Sequence, residues 1–123
     1  MALRVLHVLD HSAPLHSGYT FRTLNILQEQ RRLGWQTLHL TSPKQGATAA
    51  LSEQVEGLVF HRTPNDGQRG LLAQMKCTAA RIGEIVDAEK PDLIHAHSPV
   101  LNALPSLWVG RRSRVPVEIG RAS

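Results

Sequence analysis

His95 and His97 stand two apart in Leu93-Ile94-His95-Ala96-His97. A β-strand repeats every two residues, so both imidazoles face the same side. Such a pair can transfer protons, bond hydroxyls or phosphates, or ligate a metal. No Cys, Asp or Glu nearby offers a convincing third ligand, and no metal is expected. One of the two is expected to pack against a neighbouring helix and the other to reach a crevice. His97, at the strand's end, is the better placed to contact a substrate hydroxyl or phosphate and is the candidate catalytic residue. Ser17-Gly18 is the second feature with chemical potential. A glycine opening a helix lets a bound group approach the backbone, and the unpaired N–H groups of the first turn favour an anion. The same glycine can equally just complete a tight turn. His11 and His16 lie in the same loop, where a rigid scaffold often presents ligand-binding residues. His7, His39 and His61 fall in or beside strands and read as structural.

These residues need elements to position them. Residues 3–9 are β-prone and end at the turn-rich Asp10-His11-Ser12-Ala13-Pro14. A helix is expected from about Tyr19 to Leu33, with Tyr19, Thr23, Ile26, Leu27 and Leu33 on one side and Arg22, Asn25, Glu29 and Arg32 on the other. Gly34 follows, where a left-handed cap belongs. Trp35 to Thr41 reads as a second strand. Residues 44–56 carry little signal and read as loop with a possible short helix. Gly57 to Arg62 reads as a third strand. Leu72, Met75, Ala79, Ile82 and Val86 recur at helical spacing through about Glu89, and Pro91 ends that helix. Asp92 to His97 is the fourth strand. Ser98-Pro99 signals a helix start, predicting a helix over Val100 to Arg112 that Pro105 should kink or shorten. Val115-Pro116-Val117 begins a fifth strand. This alternation points to an α/β, Rossmann-like three-layer sandwich with a mostly parallel sheet, incomplete at its C-terminal end. With strand order 3-2-1-4-5, a ligand crevice would lie between the first and fourth strands, flanked by the loops Asp10–Gly18 and His97–Pro99.

Composition narrows the class. The 123 residues suit one domain, 41% are apolar and 20% charged, so a packed core is expected. The core is aliphatic, because aromatics are only 4%. Net charge is +4, and Arg111, Arg112, Arg114 and Arg121 crowd the C-terminal end. Such a surface can attract phosphate, nucleic acid or anionic lipid. It can also be a solvated helix end, where cations commonly sit. No nucleic-acid partner is expected. A lone cysteine, Cys77, excludes an internal disulfide. No run approaches the ~20 apolar residues of a membrane span, and no secretory leader is evident. The expectation is a cytoplasmic protein with peripheral contact at the inner membrane face.

Absent motifs remove several functions. No G-x-G-x-x-G follows the first strand, and no acidic residue ends the second, which disfavours dinucleotide binding. No P-loop sequence occurs. No G-x-S-x-G occurs, so a hydrolase nucleophile elbow is lacking. Asp10 stands alone at the strand ends, unlike the clustered carboxylates of a phospho-acceptor domain.

The motifs resemble the start of family 4 glycosyltransferases of the GT-B fold. The resemblance lies in Val5-Leu6-His7-Val8-Leu9-Asp10, in Ser17-Gly18 opening a helix that ends at Leu33-Gly34-Trp35, and in Pro91-Asp92-Leu93-Ile94-His95-Ala96-His97-Ser98-Pro99, similar to the family's PDxxHxH strand. The strings Pro14 to Thr23 and His95 to Pro105 are closest to glycosyltransferases associated with exosortase and exopolysaccharide loci. The likeness covers about residues 3 to 117. It implies retaining transfer of a sugar from a nucleotide-sugar donor to a saccharide or lipid-linked acceptor, with no metal or other cofactor. It further implies that the loop around Gly18 approaches the donor phosphates and that His97 faces the reacting sugar. Ser17, Gly18, His16, His11, Ser98 and Asn102 are the residues expected to line the substrate site. Two departures stand out. Ser17 replaces one of two glycines usual in the first loop, and Glu118 to Ser123 leave the family pattern. The expected organisation is a partial glycosyltransferase N-terminal domain over 1–117 and a divergent tail over 118–123. The C-terminal half, with its nucleotide site and paired glutamates, is not in the sequence, so this chain alone is expected to be inactive. The alternative is a non-catalytic binding module, or a remnant, that needs a separate C-terminal subunit.

Overall fold

A computed structural model describes residues 3–9, 18–41, 52–55, 58–63, 70–97 and 102–120. In chain order the elements are β1 (Arg4–Leu9), α1 (Gly18–Arg32), β2 (Gln36–Thr41), β3 (Ser52–Val55), β4 (Leu58–Arg62), α2 (Leu71–Glu89), β5 (Leu93–Ala96), α3 (Ala103–Ser113) and β6 (Val117–Ile119). They build one six-stranded sheet in the order β3-β4-β2-β1-β5-β6. Five neighbouring strands are parallel, and β3 runs antiparallel on the β4 edge. The α/β, mostly parallel architecture read from the sequence is therefore the observed one, with its strand order.

Each face of the sheet has its own core. Leu6, Val8, Leu40 and Ile94 pack with Ile82, Ile85 and Val86 of α2 and Val109 of α3. On the opposite face, Leu9, Leu58 and Phe60 pack with Leu24 and Leu27 of α1. Strand β1 is the centre of both, with Val5 through Leu9 buried throughout. Strands covered on both sides become continuous apolar runs, and the exception within Val5–Leu9 is His7.

The helix ends follow local rules. Gly34 takes φ +91° just after α1, while Trp35 N–H bonds the Gln30 carbonyl at 3.0 Å, so the expected left-handed cap is present. Lys90 and Arg114 cap α2 and α3 in the same conformation, at φ 50° and 59°, without the freedom of glycine. After Pro91 ends α2, Asp92 ties β5 to the amino end of β1. Its carboxylate accepts the Arg4 N–H at 2.9 Å and its own N–H reaches the Arg4 carbonyl at 2.7 Å.

Three expectations need correction. Within 44–56, Ser52–Val55 is a strand and not loop or helix. It pairs Val55 with Leu58 across two intervening residues, a separation suited to a hairpin. Its Ser52 and Gln54 are exposed, so this edge strand lacks the apolar pattern that would announce it. The third helix begins at Ala103, later than Ser98-Pro99 suggested, and Ser98, Pro99, Val100 and Leu101 lie outside the described residues. The later start puts Pro105 in the first turn, where an N–H has no partner inside the helix anyway, so the helix runs through it unbroken to Ser113. Its first bond runs from Ser106 N–H to the Asn102 carbonyl at 3.1 Å. Finally, Leu33 is 65% exposed in the turn after α1, and Leu24 fills the core position instead.

Helix α3 and β6 meet at Gly110. A methyl group there would lie 2.7 Å from the Val115 carbonyl oxygen and against the Val117 side chain. That backbone is fixed by the Val115 N–H bond to the Gly110 carbonyl at 2.8 Å. Gly110→Ala should thus destabilise the fold by about 1–3 kcal/mol, although alanine is the better helix former. Urea denaturation checks this. A midpoint equal to or above wild type would mean that β6 does not seat against α3.

Candidate active site

Strand register creates the site. His7 in β1 lies opposite His39 in β2 and opposite His95 in β5. His39 is in turn opposite Phe60, and His95 opposite Glu118. Side chains level with each other in a parallel sheet share a face, so one row crosses the sheet as Phe60, His39, His7, His95, Glu118. This row lies on the α1 face, because Gln30 of α1 reaches His7. His97 adds a second tier two residues beyond His95. The rings of His95 and His97 stack at 4.1 Å, and His7 lies 5.0 Å from His97 and 5.5 Å from His95.

Hydrogen bonds order the protons. His7 Nε2 is 2.8 Å from Gln30 Oε1, and an amide oxygen only accepts, so His7 carries its hydrogen on Nε2. Its Nδ1 is then a bare lone pair, and it takes a hydrogen from His97 Nε2 at 2.7 Å. That leaves His97 Nδ1 unprotonated. This atom is buried and has no hydrogen-bond partner among the described residues. A buried acceptor without a donor costs roughly 1–3 kcal/mol, so Nδ1 is poised to receive an N–H or O–H from outside the chain.

Position supports the same focus. His97 follows β5 directly, and its N–H extends the ladder to the Val8 carbonyl at 3.0 Å. The chain runs one way from β1 through β2 to β4 and the other way through β5 to β6. The β1–β5 boundary is therefore the point where strand order reverses, the usual place for ligands in such sheets. Asn102 joins from the start of α3: it is fully buried and its Nδ2–H donates to the same Val8 carbonyl at 3.3 Å. Its amide nitrogen thus fastens α3 to β1. Gly18 is the first residue of α1. Ser17, His16, His11 and Ser98 lie outside the described residues. The clefts between the ends of α2 and α3, lined by Asp87, Lys90 and Arg112, and between α3 and β6 lie elsewhere.

Sequence reading treated His7 as structural and missed its partner Gln30. It also found no third ligand to join His95 and His97. His7 is that third group: the nitrogens of His7, His95 and His97 lie within 4.8 Å of one another. A signal existed in the repeated pattern Leu6-His7-Val8, Leu38-His39-Leu40 and Ile94-His95-Ala96, which strand order converts into a row. His39 is structural as expected, with Nδ1 2.8 Å from the Val59 carbonyl and Nε2 2.7 Å from Thr37 Oγ1. His61 is only partly buried, and its register partner is Leu40, which packs against α2 on the other face.

The chain matches the glycosyl transferase 4-like domain family over residues 17–119. It belongs to that family, and a glycosyltransferase-type function follows in general terms. Among solved structures, it is similar to the C-terminal domain of the PF1911 hydrogenase of Pyrococcus furiosus. Identity is 17% and the TM-score 0.60, covering 95% of this chain and 90% of that one; the likeness concerns fold alone. A second similarity, to the zinc-inhibited form of teicoplanin deacetylase Orf2, has 14% identity and a TM-score of 0.44 over 93% of this chain and 65% of that one. That score is too low to bear on fold or chemistry. No curated protein sequence matches.

Burial sets the charge of the row. Desolvation, the largest cause in each case, pushes His7 down from 6.5 to about 4, His39 to about 3 and His97 to about 2. The Gln30 bond partly opposes this at His7, the Val59 carbonyl opposes it at His39, and neighbouring imidazoles add to it at His97. All three are neutral in the fold at pH 7. Because each folded value lies below 6.5, the unfolded chain binds more protons once the pH drops below about 6.5. Stability is thus complete above that pH and lost progressively below it, by up to about 1.4 kcal/mol per pH unit for each histidine. Urea midpoints measured at pH 7.5, 6 and 5 should fall in that order. A constant midpoint would mean that these imidazoles accept protons freely in the folded chain.

Proposed function

We propose that this chain is the acceptor-side domain of a retaining glycosyltransferase that moves a sugar from a nucleotide-sugar donor to a saccharide or lipid-linked acceptor, without a metal. The observation that carries this is the buried Nδ1 of His97 at the β1–β5 switch point, without a hydrogen-bond partner among the described residues, in a chain of the glycosyl transferase 4-like domain family. A sugar hydroxyl is the kind of donor that atom lacks. Bonding it would orient the sugar, and the Gln30–His7–His97 chain would hold the imidazole in the accepting tautomer. The start of α1 at Gly18 offers free N–H groups suited to the donor phosphates. The exopolysaccharide setting rests on the resemblance of the loop strings alone.

Membrane contact is part of the proposal. Leu104, Leu107 and Trp108 are 41–45% exposed along α3 at helical spacing, and Arg111, Arg112 and Arg114 follow at its end. Apolar residues with an aromatic beside a cationic cluster suit an anionic bilayer surface. Among the described residues, no helix is long and apolar enough to cross a membrane.

Transfer needs donor and acceptor enclosed away from water, and a single sheet supplies one wall of such a cleft. The purified chain should therefore release no nucleotide and transfer no sugar from a panel of nucleotide-sugar donors. Supplied with a complementary nucleotide-binding domain, it should gain donor-dependent transfer, and His97→Ala should cut that rate about 100-fold or more. Transfer by the chain alone would overturn the two-wall requirement. Full activity of the His97→Ala protein in the paired assay would remove His97 from the reaction.

A further inference from the structure

We propose that His7, His95 and His97 form a binding site for one borderline divalent transition-metal ion, of the Zn²⁺ or Co²⁺ kind. The site requires no glycosyl transfer and stands whether or not the chain serves in that reaction.

Three imidazoles from two adjacent strands bring their nitrogens within 4.8 Å of one another. A tetrahedral ion with bonds of about 2.0–2.1 Å needs ligand atoms about 3.3 Å apart, so the cluster is close to the required size before any ion enters. His7 Nδ1 and His97 Nε2, 2.7 Å apart, need to separate by roughly 0.6 Å to reach that spacing. His95 is only partly buried and can swing in to complete the set. Nitrogen donors alone favour Zn²⁺, Co²⁺, Ni²⁺ or Cu²⁺ over Mg²⁺ or Ca²⁺.

The surroundings fit a metal-binding role as well. Metal-ligating histidines usually donate their second N–H to a fixed acceptor, and Gln30 Oε1 already takes the His7 Nε2–H at 2.8 Å. This holds the His7 Nδ1 lone pair toward the cluster. At His97 the hydrogen must leave Nε2 for Nδ1, freeing an Nε2 lone pair for the ion. Nδ1 has no hydrogen bond to lose in that shift, and the protein releases no proton. Glu118, level with His95 on β6, adds negative charge beside the ion. The remaining coordination position stays open to water or an oxygen ligand. With an ion on Nε2, the hydrogen sits on His97 Nδ1 and that atom donates instead of accepting, so the ion would remove the acceptor that a sugar hydroxyl would otherwise engage.

The test is titration of the whole chain with Co²⁺, followed by visible absorption and competed with Zn²⁺. One equivalent of Co²⁺ should give intense low-coordinate bands that Zn²⁺ abolishes. His95→Ala and His95→Gln, checked for folding by circular dichroism, should each weaken binding at least tenfold, while His61→Ala should leave it unchanged. Absence of saturable bands at one equivalent would overturn the proposal. So would wild-type affinity in both His95 variants, or loss of the bands on removing His11 and His16 with His95 intact. Because none of these readouts involves sugar transfer, an inactive transferase and an absent metal site give different results.

Discussion

Everything in this molecule hangs on β1 being hydrogen-bonded in parallel on both edges. Its left-hand register with β2 and right-hand register with β5 fix which side chains stand level across the sheet. A slip of one residue on either edge would send every side chain of the neighbouring strand to the other face. The apolar runs on either side make that slip costly, since Leu6 and Val8 would trade places with His7 between two cores. The histidine row is thus held by hydrophobic burial it does not itself contribute.

Placing imidazoles in such a strand has a chemical consequence. Removed from water, they stay neutral, and each nitrogen must be assigned a donor or an acceptor. The assignment runs inward from Gln30 to His7 to His97 and ends on one bare lone pair. A solvated histidine would not hold one tautomer in this way. The orphan acceptor is also a feature that folding does not explain, since burying it opposes stability. Features that cost stability and lie at a strand-order switch point are where ligands are expected.

The fold by itself does not assign chemistry, as the similarity to a hydrogenase domain at 17% identity illustrates. Family membership supplies the general class, and the site supplies the particular atoms. The α1 face carries the polar row, while the α2 and α3 face is aliphatic, so the chemistry and the bulk of the packing occupy opposite sides of one sheet. Helix α3 links the two: Asn102, the residue just before it, fastens to β1 beside His97, and its outer surface carries exposed leucines, a tryptophan and arginines.

Local pattern determined much of this. Apolar periodicity located α1, α2 and the parallel strands, Gly34 marked a helix end through its left-handed backbone, and Pro91 marked another. The two-residue spacing of His95 and His97 put them on one face. Strand β3 escaped because an edge strand with exposed Ser52 and Gln54 needs no apolar alternation, and the helix that Ser98-Pro99 suggested is described from Ala103 onward. The role of His7 was out of reach for a different reason. Its partners lie 23 and 90 residues away in sequence, and nothing in the neighbourhood of residue 7 encodes them. Only the parallel pairing of β1 with β5, and the packing of α1 across that face, bring Gln30, His7 and His97 into a line, because register is fixed by burial summed over whole strands and not by any residue in the line.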